Sequence, residues 1–404
     1  MLRTLTVIAA FQSSAIAHAE PQDLSESLRA IRERHNVPSL VCAAFREGTL
    51  IGTGADGSLS TEHPASVSIE SKYHIGSCSK AMTAVLMGVV VESTDLTWDT
   101  PLGEALPGLS ETMHADYARA TVQDLLSHRA GIAEDLDPSQ LQAAWAITDE
   151  MAHRPLREQR TELARRVLES QPPFEPGTRF HYSNYGYIIA ASVIEQWADT
   201  AYESLAEARL FEPLGMSSAG FGPPGTPGEV DHPLGHTGQD GRTPVALNAD
   251  DLALDNLALD NPPIFNSAGR VHATITDWGA FVDDFERGLD GGGALLTPET
   301  YRFIASDPEQ DGYALGWLTI GREWAGDAPA LTHAGSNTYW YATTWIAPDR
   351  DLAMVVACNA ATPGAVAATD DAIGLMIDAF AGPVETPASH DAPSDEGSAA
   401  GDGR

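Results

Sequence analysis

Apolar residues along the chain fall into short runs typical of strands and longer runs typical of helices. An amphipathic pattern over 24–35 predicts a short helix, and apolar runs at 40–46 and 49–54 predict two strands. The apolar run 78–91 is too long and continuous for a strand, so it predicts a buried helix.

The middle of the chain, 99–265, carries helical patterns separated by loops rich in Pro and Gly. Within it, 222–265 is a long polar region containing LALDN twice in tandem at 252–261. The last predicted elements are strands at 314–320, 339–346 and 352–358 and a helix at 365–380. This order predicts one α/β part (24–98 and 266–384) with an inserted helical lobe (99–265) and a site in the cleft between them.

The two ends of the chain differ from the rest. Arg3 precedes the apolar stretch 5–17 and the small-x-small pattern Ala17-His18-Ala19. This predicts a signal peptide over 1–19, with an uncleaved anchor as the alternative. The domain 20–384 is then expected to be exported, periplasmic or secreted, with no stable membrane insertion after cleavage. The polar stretch 385–404 is predicted to be a disordered acidic tail.

The negative net charge of the chain disfavours two classes of binding partner. Acidic residues number 57 and basic residues 23, for a net charge of −34. This disfavours binding to nucleic acid and to an anionic membrane surface, because both need Lys and Arg.

Of the three cysteines, Cys42 and Cys358 lie in apolar strand-like runs and are predicted to be buried thiols. A disulfide between them is the alternative in an oxidising compartment.

The first candidate for chemistry is the S-x-x-K motif from Ser77 to Lys80, at the start of the buried helix. Positions i and i+3 share a helix face, so Lys80 would lie one turn from the Ser77 hydroxyl. A desolvated lysine can act as a base toward a serine. The alternative is a serine helix cap followed by an ordinary surface lysine. The apolar residues that follow Lys80 in sequence predict that it is buried, and lysines are rarely buried unless they have a charged partner or a function.

Two further motifs follow in chain order. Tyr182 and Asn184 form a Y-x-N after a Pro/Gly turn, where a phenol could relay protons and an amide could hold both a lysine and a substrate carbonyl. A loop tyrosine and a helix-capping asparagine is the alternative. His333, Gly335 and Ser336 belong to the H-x-G segment entering the strand 339–346. The Ser336 N–H could complete an oxyanion hole with that of Ser77.

Other mechanisms lack their motifs. The sequence contains no G-x-S-x-G, no P-loop and no H-E-x-x-H. A G-x-G-x-x-G string at 52–57 opens no predicted helix, which the dinucleotide-binding interpretation requires. The sequence therefore offers no motif for a nucleotide-binding loop or a zinc protease site.

Taken in this order, S-x-x-K, Y-x-N and H-x-G resemble the motifs of the serine β-lactamase and penicillin-binding-protein superfamily, in the branch of class C β-lactamases, D-alanyl-D-alanine carboxypeptidases and related esterases. Framework stretches of that branch are also similar. These stretches are 121–132 (TVQDLLSHRAGI), 174–180 (FEPGTRF), 211–216 (FEPLGM) and 313–317 (YALGW). The resemblance covers about residues 25–382. It implies an α+β fold, an antiparallel sheet flanked by helices with an inserted mostly helical lobe.

The resemblance also implies roles for the motif residues. Ser77 would be the nucleophile, and Lys80 with Tyr182 the base system, without deciding which of the two accepts the proton. Asn184 would contact both substrate and lysine, and His333 would be a binding or electrostatic residue. The backbone N–H groups of Ser77 and Ser336 would form the oxyanion hole, and the resemblance implies no metal and no cofactor.

Two departures shape the predicted function. His333 stands where classical members have Lys, and Ala334 stands where they have Thr or Ser, so a carboxylate-bearing β-lactam would be held less firmly. We therefore expect an exported, esterase-like serine hydrolase that cleaves a small-molecule ester, amide or peptide through an acyl-enzyme. The alternatives are a D-alanyl-D-alanine carboxypeptidase or class C-like β-lactamase, and a catalytically inactive binding protein of the same fold. The oligomeric state stays open.

Overall fold

A computed structural model describes residues 20–133, 138–238, 245–246 and 260–382. The helices are α1 Ser25–His35, α2 Ser79–Ser93, α3 Leu102–Ala105, α4 Ala115–Arg119, α5 Val122–Leu126, α6 Pro138–Glu150, α7 Leu156–Glu169, α8 Asn184–Ala198, α9 Tyr202–Ala206, α10 Asn266–Gly269, α11 Ile275–Leu289, α12 Pro298–Ala305 and α13 Pro363–Phe380. The strands are β1 Gln22–Asp23, β2 Ser39–Arg46, β3 Thr49–Gly57, β4 Lys72–His74, β5 Gly220–Phe221, β6 His236–Thr237, β7 Val245–Ala246, β8 Val271–Thr274, β9 Leu318–Ile320, β10 Ala330–Ser336, β11 Tyr341–Ala347 and β12 Leu352–Cys358.

A seven-stranded sheet organises the structure, in the order β1-β3-β2-β12-β11-β10-β9. Its pairings are antiparallel except for the short parallel pair β1 and β3. The first strands of the chain therefore pair with the last, and the helices α3–α9 are inserted between them. Two smaller sheets, β4-β8-β5 and β6-β7, lie outside the main sheet.

The central strands are buried on both faces. Along β2, Leu40 and Cys42 face one core that includes residues of α1 and α13, whereas Val41 and Ala43 face a second core that includes residues of α2, α8 and α11. Side chains of a strand point alternately to opposite faces, so a continuous apolar run serves both cores. The predicted α+β class, an antiparallel sheet flanked by helices, is confirmed.

Near the third motif the sequence prediction was wrong about the strands. The predicted strand 314–320 is reduced to β9, because Gly316 has φ +80° and turns the chain against α2. The segment containing His333 does not merely enter β11 but forms its own strand, β10, in which His333 pairs with Thr344. The short run 330–336 contains polar residues, and its strand state depends on pairing with β11.

Several predictions concern residues outside the described part. The signal peptide 1–19 and the tail 385–404 lie there, as do most residues of the LALDN repeat, so the domain boundaries stay predictions. The cysteines Cys42, Cys78 and Cys358 are free and buried, so the structure favours thiols over the alternative disulfide. Among the described residues, none of the helices combines the length and hydropathy needed to span a membrane.

One buried acid makes the stability of this fold dependent on pH. Burial of Glu286 on α11 raises its pKa to about 8, and the charges of Asp351 and Asp283 contribute to the rise. The folded state therefore keeps a proton that the unfolded chain loses above its ordinary pKa of about 4.3. The stabilising effect of this proton is complete below about pH 4.3 and is lost progressively as the pH rises from there through about 8.

We expect Glu286→Gln, which mimics the protonated acid, to stabilise the protein by on the order of 2 kcal/mol more at pH 9 than at pH 5. Denaturant unfolding at both pH values measures this difference. Glu111→Gln is the control, because Glu111 is exposed and its replacement removes the same charge. A stability difference that is equal at both pH values would contradict the assignment.

Candidate active site

Ser77 lies in the middle of a 3-10 turn, Gly76–Cys78, that leads directly into α2. Gly76 has φ +52°, a conformation that glycine adopts at little cost. The Ser79 hydroxyl donates to the Gly76 carbonyl at 2.7 Å and accepts from the backbone N–H of Val271 at 3.1 Å. The turn is thereby fixed to β8, and the partly exposed Ser77 is held at the start of the helix.

Lys80 follows one helical turn later and is fully buried. Its Nζ donates to Ser77 Oγ at 3.1 Å, to Asn184 Oδ1 at 2.6 Å and to the carbonyl of Ala268 at 2.5 Å. Three acceptors match the three N–H groups of an ammonium. The interpretation of Ser77 and Lys80 as a helix cap followed by a surface lysine does not fit this arrangement.

Tyr182 and Asn184 come from the segment that begins α8. The Tyr182 hydroxyl donates to Ser77 Oγ at 2.8 Å, and its ring lies 4.8 Å from Lys80 Nζ. Asn184 is the first residue of α8, and its side chain accepts from Lys80. The structure thus brings residues separated by about a hundred positions in sequence to a single hydroxyl.

The strand β10 lies against the turn that carries Ser77. A Cβ atom on Gly335 would lie 2.5 Å from the Ser77 nitrogen, and one on Gly76 would lie 2.3 Å from the Ser336 nitrogen. Distances this short exclude any side chain at either position. The two glycines therefore allow the backbone amides of Ser77 and Ser336 to lie side by side, as an oxyanion hole requires.

A buried carboxylate links the two segments that carry these amides. Asp260 accepts from Asn337 Nδ2 at 3.1 Å and from Arg270 Nε at 2.9 Å, and it lies 3.4 Å from His74 Nε2. Burial alone would raise the pKa of Asp260, but Arg270 and His74 reverse this and hold it well below its ordinary value. Asp260 thus stays charged next to residues that adjoin Ser77 and Ser336.

His333 belongs to a chain of buried rings. Its Nδ1 lies 2.7 Å from the Ala334 carbonyl and must carry the hydrogen, so Nε2 accepts from the Tyr313 hydroxyl at 3.3 Å. Tyr313 in turn accepts from His128 Nε2 at 3.2 Å, while His128 Nδ1 accepts the N–H of Ser183 at 3.1 Å. The hydrogens of both imidazoles are therefore assigned by their partners.

This arrangement makes both histidines neutral. Burial lowers the pKa of His333 to about 3, and the positive charge of Lys80 contributes. The same two causes hold the pKa of His128 well below its ordinary value. At neutral pH, His333 thus serves as a hydrogen-bonding residue and gives the site no positive charge.

Four groups in and around this site were not predicted from the sequence: the Ala268 carbonyl, His128, Tyr313 and Asp260. His128 and Tyr313 lie in two of the framework stretches that carry the resemblance, and that was the available signal. Asp260 belongs to the second LALDN copy, and nothing local marks it as buried. Among the described residues, no group of His, Cys, Asp and Glu side chains is arranged to hold a metal ion.

The chain is also similar to known proteins. A sequence model described as Beta-lactamase matches residues 24–376. The chain is 31% identical over 195 residues to Penicillin-binding protein 4 of Amycolatopsis lactamdurans, an alignment covering 47% of this chain and 46% of that protein. It is 28% identical over 201 residues to a D-aminopeptidase of Brucella anthropi, covering 48% of this chain and 35% of that protein.

A solved structure extends the likeness across the fold. The class C beta lactamase from Rhodobacter sphaeroides superposes with a TM-score of 0.63 and 19% identity, covering 87% of this chain and 98% of that one. The sequence matches span only about half or less of the two curated relatives.

Proposed function

Because the chain belongs to the Beta-lactamase family, whose members are serine hydrolases acting on amide or ester bonds, we propose that it hydrolyses a small-molecule ester or simple amide through an acyl-enzyme on Ser77. The observation that carries this proposal is the convergence of two proton-handling groups on one hydroxyl. Tyr182 Oη lies 2.8 Å and Lys80 Nζ 3.1 Å from Ser77 Oγ. A serine activated in this way is the requirement for nucleophilic catalysis.

In the acylation step, Ser77 Oγ attacks the substrate carbonyl carbon and transfers its proton to a neighbouring base. The three acceptors around Lys80 Nζ fit an ammonium, so we propose Tyr182 as the base. Tyr182 would act in its ionised form, which the adjacent ammonium favours, and its Oη would then accept the Ser77 hydrogen across the 2.8 Å contact instead of donating as it does in the resting site. The carbonyl oxygen becomes an oxyanion next to the amides of Ser77 and Ser336. The bond to the leaving group then breaks, and the leaving nitrogen or oxygen takes the proton from Tyr182.

The deacylation step repeats this chemistry with water. Water gives a proton to Tyr182 as its oxygen attacks the acyl carbon, the ester bond to Ser77 Oγ breaks, and Ser77 recovers the proton. The products are a carboxylic acid and the free enzyme, and no redox partner or metal is required for the balance.

The choice of an ester or simple amide over a β-lactam follows from His333. A charged lysine would attract a substrate carboxylate, but the neutral His333 directs both of its nitrogens to protein partners. A penicillin would therefore lose an electrostatic contact. The names of the relatives keep amide substrates open, since one is a D-aminopeptidase and another a penicillin-binding protein.

We also propose that the enzyme is exported and begins at Glu20 after removal of 1–19. This rests on the sequence pattern at the N-terminus.

The test is to treat the enzyme, expressed as the full chain, with a fluorophosphonate and separately with benzylpenicillin, and to record intact mass and the modified peptide. Turnover of 4-nitrophenyl acetate is measured in parallel, with Ser77→Ala as the control. We expect a fluorophosphonate adduct on Ser77, ester turnover that Ser77→Ala abolishes, and little reaction with benzylpenicillin. The same mass spectrum reports whether the chain begins at Glu20.

Other outcomes would identify the alternatives. A stable penicilloyl adduct on Ser77 would indicate a penicillin-binding peptidase, and rapid penicillin turnover would indicate a β-lactamase. No labelling of folded protein by either reagent would contradict catalysis and favour a binding protein.

A further inference from the structure

An open groove of about 480 Å³ shares Ser336 with the catalytic centre and has no role in the acyl-transfer steps above. It is lined by Ser336, Tyr341, Ala361, Thr362, Pro363 and Val366. Ser336 is shared with the catalytic centre, since its nitrogen lies next to the turn that carries Ser77. Ser336 pairs with Tyr341 on the face of the sheet opposite to Gly335, so the groove lies across β10 from Ser77. A substrate held by the Ser336 amide would reach the groove only with a substituent directed toward α13.

The walls of the groove are uncharged. Ala361, Pro363 and Val366 contribute aliphatic surface, and Tyr341 contributes an aromatic ring. Val366 is 47% exposed, which makes it one of the most exposed large apolar side chains among the described residues. Exposed apolar surface beside a catalytic centre gains free energy when a substrate covers it.

The start of α13 also forms part of the groove, but three of its first four residues, Pro363, Ala365 and Val366, offer no free N–H. Pro363 has no N–H, and the N–H groups of Ala365 and Val366 donate to the Thr362 carbonyl at 2.9 Å and 3.2 Å. The Thr362 side chain caps the helix by accepting from the Ala365 N–H. These groups therefore give an anion little to bind.

Charges near the groove disfavour a carboxylate. Val366 and the exposed Asp370 are four residues apart on α13 and so share a face of the helix. Burial raises the pKa of the Tyr341 phenol, and the negative charge of Asp370 contributes to the rise. The Asp370 carboxylate is therefore close enough to act on a residue that lines the groove. Lys80 is fully buried and donates to the Ala268 carbonyl, and His333 is hydrogen-bonded to Tyr313, so neither side chain offers a positive charge to the groove.

We propose that this groove is a substrate subsite that selects an apolar, uncharged substituent, so that the substrates are neutral esters or amides without a carboxylate at this position. The proposal rests on the hydrolase function above and adds the class of substrate. The net charge of −34 acts in the same direction, since it repels anionic substrates.

The test uses pairs of substrates that are matched in chain length and differ in one terminal group, a methyl group in one member and a carboxylate in the other. For the acyl side, 4-nitrophenyl hexanoate is compared with the mono-4-nitrophenyl ester of adipic acid. For the leaving-group side, 4-propylphenyl acetate is compared with the acetate ester of 3-(4-hydroxyphenyl)propanoic acid. In the pair whose varied end occupies the groove, we expect kcat/KM of the uncharged member to be about tenfold or more above that of the carboxylate member.

A charge introduced into the groove then locates the subsite. Val366→Arg should raise kcat/KM for the carboxylate member of that pair by about fivefold, the size of an exposed ion pair. It should lower kcat/KM for the uncharged member. The control is Leu318→Arg, because Leu318 is an exposed apolar residue on β9 outside the groove. It adds the same charge and should leave the selectivity unchanged.

Three outcomes would overturn the proposal while leaving the proposed function intact, provided that Ser77 is labelled and 4-nitrophenyl acetate is hydrolysed. These are equal rates within both pairs, a preference for the carboxylate member, and an equal effect of the two arginine variants. Absence of both labelling and ester hydrolysis would instead contradict the proposed function, and the subsite with it.

Discussion

Replacing Lys80 by methionine is expected to reduce kcat/KM by about 10³-fold or more while the protein still folds. Methionine has nearly the length of lysine but lacks the amine that donates to Ser77, Asn184 and the Ala268 carbonyl. Without that positive charge, the Tyr182 phenolate and the developing oxyanion lose their electrostatic partner. Losses of this size are typical when one member of a catalytic unit is removed.

The chain provides its own control for this experiment. Its two lysines are Lys72 and Lys80. Lys72→Met removes the same charge from a partly exposed position on β4, so it should leave kcat/KM within about twofold. Tyr182→Phe completes the set, and we expect a loss of about 10² to 10⁴-fold, as for removal of a general base. Circular dichroism and the fluorophosphonate labelling rate distinguish lost chemistry from lost structure. Near-normal turnover by folded Lys80→Met would refute the proposed mechanism.

The second large effect concerns stability, and it involves Arg160 on α7. Arg160 is fully buried and donates to Glu195 at 2.5 Å and to Glu203 at 2.9 Å. Glu203 also accepts from Asn266, the first residue of the α10 segment that supplies the Ala268 carbonyl. We expect Arg160→Met to reduce the free energy of unfolding by about 3–5 kcal/mol, because it leaves two carboxylates without their cation.

Arg165→Met is the matched control on the same helix. Arg165 pairs with Glu162 and Glu169, but its side chain is 38% exposed, and we expect a loss of about 1 kcal/mol or less. Denaturant unfolding of both variants measures the difference. Similar small losses for both would contradict the role assigned to the buried cluster.

The pH dependence of the Arg160 effect follows from Glu203. Burial would raise the pKa of Glu203, but the charge of Arg160 and its hydrogen bonds lower it below the ordinary value. A carboxyl with a lowered folded-state pKa stabilises the protein above the unfolded pKa of about 4.3, and this is lost as the pH falls through the folded pKa. The difference between wild type and Arg160→Met should therefore shrink below about pH 4.

How much the sequence could predict differs between elements. The apolar run that forms α2 is long enough to be assigned as a buried helix without a partner, and β12 and α13 are similarly clear. β10 was not recognised as a strand, because Thr332 and His333 interrupt its apolar pattern and its hydrogen bonds are made to β11. The catalytic candidates were found because their spacing, one helical turn between Ser77 and Lys80, is a local property.

The state of His333 illustrates what sequence could not provide. Its position in the third motif suggested a binding or electrostatic role, and only its surroundings decide its charge. Tyr313 and His128 are 20 and 205 residues away in sequence, yet they form one hydrogen-bonded chain with it. Burial among these rings keeps the imidazole neutral.

The sequence by itself determined the helix that carries Ser77 and Lys80, the order of the three motifs and the resemblance that implied the fold. These depend on short-range spacing and on apolar runs, which remain visible before the chain folds. The tertiary structure alone decided the convergence on Ser77 Oγ, the contact between Gly76 and Gly335, the charge of Asp260 and the uncharged groove at Val366. Each of these depends on distances between segments far apart in the chain and on the removal of water from between them, and both arise only on folding.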